Sequence, residues 1–470
     1  MTKTSTRGWV LALTSVASLM VALDTLVVTT ALSTIRTDLY ASIEQLEWTV
    51  NAYNLSFAVL LLTAAALGDR FGRRRLFAGG LALFTAASVA CALAPGIGAL
   101  IAARAVQGAG AALVTTLSLA IVSAAFPPER RGAALGILMG VTGLAVASGP
   151  LVGGAVAQGL AWQWIFWVNV PIGVITLPLI LARLEESFGG DTGLDGGGVA
   201  LATAGAFGLV WGLVRGNSAG WGSLEVLGAL TAGVVLTIAF VAWELRAREP
   251  MLPMRFFRSR SFSAGNAASF LATASLFGSV FFFAQFLQTG LGHGPLGAGL
   301  RLLPWTVTLS LCAPVAGTLA DRLGPRPFIV AGLLLQAVGF GVVALIAGPG
   351  IGYGEMVGPM VVAGAGISMA LPAFQSTVVS AVAPEAIGKA AGVNSMMRQL
   401  GGVFGIAILV AVFTGAGSYA SAQAFSDGFA PAVGVSAGLS LLGALVATAL
   451  PRRGAAHATA PIPAAAQAGS

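Results

Sequence analysis

The chain contains 470 residues, 57% of them hydrophobic and only 9% charged, with a formal net charge of +7. Because a soluble domain normally carries about 25% charged residues, this composition excludes an ordinary soluble protein and indicates a polytopic helical membrane protein. The mean hydropathy of +0.90 agrees with that class.

Apolar runs long enough to cross a bilayer recur along the whole chain. They predict an all-α membrane protein with fourteen transmembrane helices. The predicted spans are residues 9–32, 46–67, 76–93, 97–123, 133–157, 164–181, 198–214, 224–243, 264–287, 302–319, 328–346, 356–379, 393–413 and 432–450.

Most of the 24 Lys and Arg residues fall on one side of these spans, the side that also holds both termini. Loops on the cytoplasmic side of membrane proteins are rich in Lys and Arg, so both termini are expected in the cytoplasm. The basic charge is then a sign of topology, and no nucleic-acid partner is expected. The preference for Arg over Lys, with abundant Ala and Gly, suggests a GC-rich bacterial genome, and a location in the bacterial inner membrane is expected.

The spans are expected to form two six-helix bundles, with an extra pair of helices between them. The predicted divisions are a cytoplasmic tail at 1–8, a first bundle at 9–182, a linker at 183–260 with two inserted helices (about 198–214 and 224–243) and a basic cytoplasmic segment, a second bundle at 261–453, and a disordered tail at 454–470.

A short charged hairpin occurs twice, as LGDRFGRRR at 67–75 and as GTLADRLGPR at 317–326. Each copy joins two apolar spans, and such a repeat is typical of a transporter built from two related halves. Asp69 is expected to accept a hydrogen bond from Arg73 and to face a helix N-terminus, which would connect the two halves. Charge that merely sets topology is the plainer alternative. The predicted gating residues are Asp69, Arg70, Gly72, Arg73, Asp321, Arg322 and Gly324.

Two charged residues are expected inside the membrane. Asp24, in the first span, is predicted to be the only carboxylate well inside any span. An unpaired carboxylate there costs several kcal/mol, which suits a group that takes up and releases a proton. Arg104, in the fourth span, stays charged and needs an acceptor, so its field could change the proton affinity of Asp24 between conformations. Structural hydrogen bonds to neighbouring helices are the alternative for both residues.

The fifth span carries GLAVASGPLVGG at 143–154. A proline bends a helix, and glycines allow a neighbouring helix to approach closely, although ordinary packing would need the same residues. The residues singled out here are Gly149, Pro150, Gly153 and Gly154.

Polar, aromatic and Met side chains within the spans are candidates for a substrate pocket. Core packing or contact with lipid is the commoner role of the apolar ones. The candidates are Asn51, Asn54, Phe281, Gln285, Gln288, Trp305, Phe374, Gln375, Asn394, Met397 and Arg398.

Motifs of enzymes are missing from the sequence: there is no phosphate-binding loop, no dinucleotide fingerprint, no GxSxG and no His/Cys metal cluster. Cys91 and Cys312 both fall inside predicted spans and are interpreted as core residues. Neither enzyme activity nor a metal or cofactor is expected.

Five stretches together resemble the major facilitator superfamily, in particular its fourteen-helix drug/proton antiporter branch. The resemblance covers nearly the whole chain, although Ala65 replaces the first glycine of the loop signature. The stretches are LDTLVVTTAL around Asp24, AALGDRFGRRR before the third span, RAVQGAGAA around Arg104, SGPLVGG in the fifth span and WQWIFWVNVPIG at 162–173.

This resemblance implies proton-driven export of lipophilic compounds by alternating access between the two bundles, with proton coupling at Asp24 and Arg104. It implies no cofactor beyond the proton gradient, and the partners would be a small-molecule substrate, protons and the lipid bilayer, with the chain functioning as a monomer. Asn51 stands where some members of the family have an acidic residue, so neutral or monocationic substrates are expected.

Three alternatives remain open at this point. The chain could export one metabolite, such as a self-made antibiotic, instead of many drugs. It could import a nutrient together with protons, although the SGPLVGG stretch resembles that of antiporters. It could also be a membrane sensor or scaffold that transports nothing, a hypothesis that leaves the repeated hairpin unexplained.

Overall fold

A computed structural model describes residues 3–189, 195–248, 250–382 and 386–451. Within these ranges, the side chains of residues 3–6, 128–129, 131–133, 146–147, 309–310, 314 and 321–322 are not described. The tail predicted at 454–470 lies outside the described residues, as do residues 190–194 and 249 of the predicted linker.

The described part of the chain consists of helices and connecting turns. The helices are α1 (Lys3–Asp38), α2 (Ile43–Phe71), α3 (Arg73–Ala92), α4 (Ile97–Ala125), α5 (Pro128–Gly159), α6 (Trp164–Trp167), α7 (Asn169–Arg183), α8 (Gly196–Ala219), α9 (Leu224–Glu244), α10 (Arg260–Gln285), α11 (Pro295–Leu323), α12 (Pro325–Ile346), α13 (Tyr353–Val379), α14 (Ile387–Ala416) and α15 (Ala422–Ala447), with a 3₁₀ turn at Met254–Arg258 and a π-helical turn at Phe286–Gly290.

Fourteen helical segments in the described residues are long and apolar enough to cross a membrane, which confirms the predicted all-α, fourteen-span fold. The sixth span is divided between α6 and α7, and the ninth continues from α10 into the π-helical turn. Helix α1 begins at Lys3, so most of the tail predicted at 1–8 is helical.

Side-chain caps explain where several helices begin. Ser42 Oγ accepts a hydrogen bond from the Gln45 N–H at 3.2 Å, and Gln45 Oε1 accepts one from the Ser42 N–H at 2.9 Å. This reciprocal pair satisfies two N–H groups that the first turn of α2 leaves free. Ser259 and Ser421 cap α10 and α15 through their hydroxyl oxygens.

The first half comprises α1–α7 and the second comprises α10–α15. They meet along two seams, between α2 and α14 and between α5 and α11. The inserted helix α8 packs against both α2 and α14, so it covers the first seam, whereas α9 packs mainly against α8. Apolar residues of α2, α8 and α14, among them Val59, Val210 and Val403, form one buried cluster there.

Contacts between the halves close the end of the bundle that lies away from the termini. Gln158 at the end of α5 accepts a hydrogen bond from the Leu296 N–H at the start of α11, at 3.0 Å. Gln288 donates to the carbonyl oxygen of Thr30, also at 3.0 Å. The guanidinium of Arg36 lies 4.2 Å from the ring centre of Tyr419. We call this region the closed end.

Candidate functional site

Helices α1 and α4 bring Asp24 and Arg104 into direct contact. The Nη1 atom of Arg104 lies 2.5 Å from Oδ2 of Asp24, and each residue is only 1% exposed. Sequence reasoning singled out both residues separately because each is charged within an apolar span. The structure shows that they form one buried ion pair.

Asp24 has further partners that the sequence analysis missed. Its other oxygen, Oδ1, accepts hydrogen bonds from Gln107 Nε2 at 2.9 Å and from Asn169 Nδ2 at 3.0 Å. Both amides also contact the hydroxyl of Ser88, at 2.9 and 3.3 Å. Three charged or amide donors thus surround the carboxylate, which suits a negative charge kept out of water.

The sequence did contain signals for these amides. Gln107 follows Arg104 by three residues, so the two side chains share one face of α4. Asn169 lies in the WVNVPIG stretch, which the resemblance included without assigning a residue. Neither signal was specific enough to indicate a contact with Asp24.

Arg104 is itself held on several sides. Its Nε donates to the carbonyl oxygen of Thr49 at 3.0 Å, and Nη1 also donates to Gln107 Oε1 at 2.6 Å. The guanidinium lies 4.2 Å from the ring centre of Tyr53, a cation–π distance. The ion pair therefore links α1, α2 and α4 at one point.

A second buried carboxylate, Glu47, lies near the start of α2, and the sequence analysis did not single it out. Glu47 is fully buried, and its Oε1 accepts a hydrogen bond from Asn51 Nδ2 at 2.9 Å. Its Oε2 has no hydrogen-bond partner among the described residues. The sequence placed Glu47 at the edge of the span 46–67, whereas α2 begins at Ile43 and carries Glu47 into its second turn.

A cavity of about 310 Å³ lies between the two halves. It is lined by α1, α2, α4 and α5 from the first half and by α10, α11 and α14 from the second. Its wall is mainly apolar, with Phe57, Phe277 and Trp305 as the aromatic contributors. Thr25 and Leu26, the two residues after Asp24, line the cavity, so the ion pair lies directly behind its α1 wall.

Of the predicted pocket residues, Trp305 and Arg398 line this cavity. The structure does not bring the other nine to it, and most of them have contacts elsewhere in the protein. Asn51 bonds to Glu47, Gln285 contacts Phe281 and Tyr419, Gln288 bonds to Thr30, Asn394 bonds to Asn266, Phe374 and Met397 pack in other apolar clusters, Asn54 is buried, and Gln375 is partly buried away from the lining.

The glycines of α5 lie where other helices approach most closely. A Cβ atom at Gly149 would come within 2.9 Å of Leu26 Cβ, and one at Gly153 would overlap the carbonyl oxygen of Val27, both on α1. A Cβ at Gly154 would overlap the carbonyl oxygen of Pro295 on α11. Pro150 lines the cavity. The stretch therefore forms the junction of α1, α5 and α11 near the closed end.

The first charged hairpin is bound within its own half. The expected bond forms, because Arg73 Nη2 and Nε both lie 2.8 Å from Asp69 Oδ1. Gly72 supplies the turn with a φ of 103°, a conformation that favours glycine. The backbone N–H of Arg74 donates a hydrogen bond to Glu186 Oε1 at 2.8 Å. Glu186 follows α7 and belongs to the first half, so this contact does not connect the two halves. Gly189 donates to the carbonyl oxygen of Asp69 at 3.0 Å.

The second hairpin repeats the turn of the first. Gly324 has a φ of 93°, close to that of Gly72. The side chains of Asp321 and Arg322 lie outside the described ones. Arg70 of the first hairpin lies over the ring of its neighbour Phe71, at 5.4 Å.

Metal chemistry has no visible place in the part of the chain that the structure covers, where no group of three or more His, Cys, Asp or Glu could hold an ion. Both cysteines are free, and Cys91 is buried 3.7 Å from Gln107 Oε1.

Two helical bundles around a shared cavity define a membrane protein of the transporter class. A sequence model described as Major Facilitator Superfamily matches residues 14–406, with a second match at 266–469. The chain belongs to the Major Facilitator Superfamily. Proteins of this superfamily carry small molecules within membranes and are generally not enzymes.

Two relatives cover most of the chain. The tetracenomycin C resistance and export protein of Streptomyces glaucescens is 36% identical over 398 residues, which are 84% of this chain and 74% of that protein. The cephamycin export protein CmcT of Amycolatopsis lactamdurans is 38% identical over 437 residues, which are 91% and 90% of the two chains. With the fourteen candidate spans, these relatives indicate a multi-pass bacterial membrane protein.

Among solved structures, a peptide transporter POT in complex with sulfate superposes with a TM-score of 0.70 over 94% of both chains. Its sequence identity is 16%, so the likeness concerns the fold alone.

Proposed function

We propose that the chain is a proton-coupled antiporter that exports lipophilic antibiotics or drugs by alternating access. The observation that carries this proposal is the position of the Asp24–Arg104 pair directly behind the α1 wall of the cavity. A change in the charge of Asp24 would alter the contacts of α1 at the point where Thr25 and Leu26 line the cavity. Export of antibiotics is supported by the two relatives, which are named for resistance and export.

Proton uptake at Asp24 would act through the ion pair. A protonated carboxyl no longer attracts the Arg104 guanidinium as an ion, so the tie between α1 and α4 weakens. The glycine junction of α1, α5 and α11 begins within one turn of Asp24, at Leu26 and Val27, and couples that change to the second half. Release of the proton restores the ion pair.

The orientation follows from the distribution of Lys and Arg, which favours cytoplasmic termini. In that orientation the closed end faces the outside of the cell, and the described contacts across it represent a state shut to the exterior. Both bundles of the chain contribute to the cavity wall, and we propose that the chain functions as a monomer.

The proposal is tested in proteoliposomes with a pH-sensitive dye inside and an imposed proton gradient. We expect an exported drug to dissipate the gradient with the wild-type protein, and we expect Asp24→Asn to abolish this response while drug binding persists. Proton-driven export by a folded Asp24→Asn protein would overturn the role of Asp24.

A dedicated exporter of one compound is the second candidate. The cavity of about 310 Å³ is at the small end of ligand pockets, which supports a narrow range of substrates. A panel of unrelated lipophilic drugs separates the two functions. A response to one chemical class alone favours the dedicated exporter, and a response to several favours multidrug export.

A further inference from the structure

Arg398 places a positive charge on the wall of the cavity. It lies on α14, in the lining of the cavity, and its Nε atom is buried without a hydrogen-bond partner among the described residues. Salt bridges in the described part of the chain involve other arginines. The Nε–H group of this side chain therefore has no acceptor among the described residues, although the side chain belongs to the cavity wall.

Among the described residues, the cavity wall offers no balancing negative charge. Arg398 is the one ionisable group among the described residues that line it, and the other polar contributors are hydroxyls and the amide of Gln399. Asp24 does not line the cavity, and its oxygens are occupied by Arg104, Gln107 and Asn169. The wall thus carries one positive charge.

A guanidinium remains protonated in proteins and presents N–H groups in a plane that matches a carboxylate. In an apolar cavity an anionic oxygen would satisfy these donors, whereas a cationic substrate would be repelled and would find no counter-ion. The physical chemistry of the wall distinguishes substrates by the sign of their charge.

We propose that the cavity preferentially binds amphipathic molecules that carry an acidic oxygen group, such as a carboxylate or an ionised phenol or enol. The acidic group contacts Arg398, and the apolar part packs against Phe57, Phe277 and Trp305. This inference rests on the proposed function, since it assigns the cavity to the exported substrate. It replaces the expectation of neutral or monocationic substrates by neutral and anionic ones.

Three ligands with one aromatic body and different charges test the proposal: 1-pyrenebutyrate, its neutral amide and 1-pyrenebutylamine. Binding is measured at pH 7 with the full chain in nanodiscs of zwitterionic lipid, so that the bilayer itself has no net charge. We expect the wild-type protein to bind the carboxylate at least about tenfold more tightly than the amine, the size of effect that one charge-assisted contact supplies.

The variant Arg398→Gln should bind all three ligands within about threefold of one another, because the charge that distinguishes them has been removed. The loss of a tenfold preference corresponds to about 1.4 kcal/mol. Its affinity for the neutral amide should stay near that of the wild type, which shows that the variant is folded and that the apolar part of the site is intact. Lys389→Gln is the matched control. Lys389 is an exposed cation on the same helix, outside the lining.

Equal or tighter binding of the amine by the wild type would overturn the proposal, as would an unchanged carboxylate preference in Arg398→Gln. Failure of all three ligands to bind a wild-type preparation that exports a drug would also count against it. Binding needs no proton gradient, so a loss of proton coupling and a loss of charge preference are observed separately.

Discussion

Asn51 donates its side-chain amide to Glu47 one turn earlier on α2, and this bond, at 2.9 Å, is the only partner of the Glu47 carboxyl among the described side chains. No cation contacts the buried group in the described residues. Burying the ionised form of the Glu47 carboxyl without a counter-ion would cost free energy, and this cost determines how substitutions of Glu47 affect stability.

We expect Glu47→Gln to leave the apparent unfolding temperature unchanged or to raise it, because the amide oxygen still accepts from Asn51 and carries no charge. Glu47→Leu should lower stability by about 1–3 kcal/mol, since the amide of Asn51 then loses its acceptor. Thermal unfolding in detergent, followed by tryptophan fluorescence, measures both. A Gln variant clearly less stable than the wild type would indicate that Glu47 is ionised and has a counter-ion.

The Asp24–Arg104 pair should show strong energetic coupling. Arg104→Gln is expected to destabilise the protein by about 3–5 kcal/mol, because it leaves a buried carboxylate without its counter-ion. The double variant with Asp24→Asn should be more stable than the sum of the two single changes predicts, by about 1–3 kcal/mol. A double-mutant cycle on thermal stability measures this difference, and additive effects would contradict a direct ion pair.

The amide of Gln107 should set the pH range of proton-driven export. Gln107→Leu removes a hydrogen-bond donor to the Asp24 carboxylate, so the ionised form of this carboxyl is less well stabilised in the variant. We expect the pH profile of export to move towards higher pH. Gln107→Glu is unsuitable as a control because it adds a charge. Thr116→Val, on the same helix but hydrogen-bonded to Leu61, should leave the profile in place.

The close approach of α5 to α11 should be needed to keep the closed end shut. A leucine at Gly154 would overlap the backbone at Pro295, so Gly154→Leu is expected to favour a conformation with this end open. Spin labels on cysteines introduced at Leu160 and Leu300, in a chain whose own two cysteines are replaced by alanine, report the distance between the helices. We expect a longer distance in the variant.

Gly159→Leu is the matched control for that experiment, because a Cβ at Gly159 would have no atom within 4 Å. It should leave the label distance unchanged. An unchanged distance in Gly154→Leu as well would show that this glycine does not limit the approach of the two helices.

The fold could be predicted from the sequence because apolar length is a direct consequence of the bilayer. Runs of about twenty apolar residues must be helical to satisfy their backbone groups in lipid. The same reasoning identified Asp24 and Arg104, since a charge inside a membrane needs a partner. Both deductions use only the residues of a single helix and need no knowledge of how the helices pack.

The lining of the cavity could not be predicted in this way. Helix faces towards lipid, towards another helix and towards an apolar cavity are all apolar, so periodicity does not distinguish them. Gln285 and Asn394 suggested a pocket because they are polar, yet each bonds to neighbouring residues. Glu47 was missed for a related reason, because its burial depends on the helix beginning one turn earlier than the apolar run.

The position of α8 has a consequence for how a membrane-dissolved compound would reach the cavity. One seam between the halves, that of α2 and α14, lies beneath α8 and α9, whereas the seam of α5 and α11 has no inserted helix packed over it in the described structure. A molecule that diffuses laterally in the bilayer therefore meets the two sides of the protein unequally. A compound approaching through lipid meets α8 and α9 on one flank and the paired helices α5 and α11 themselves on the other, so the inserted pair makes the two flanks different.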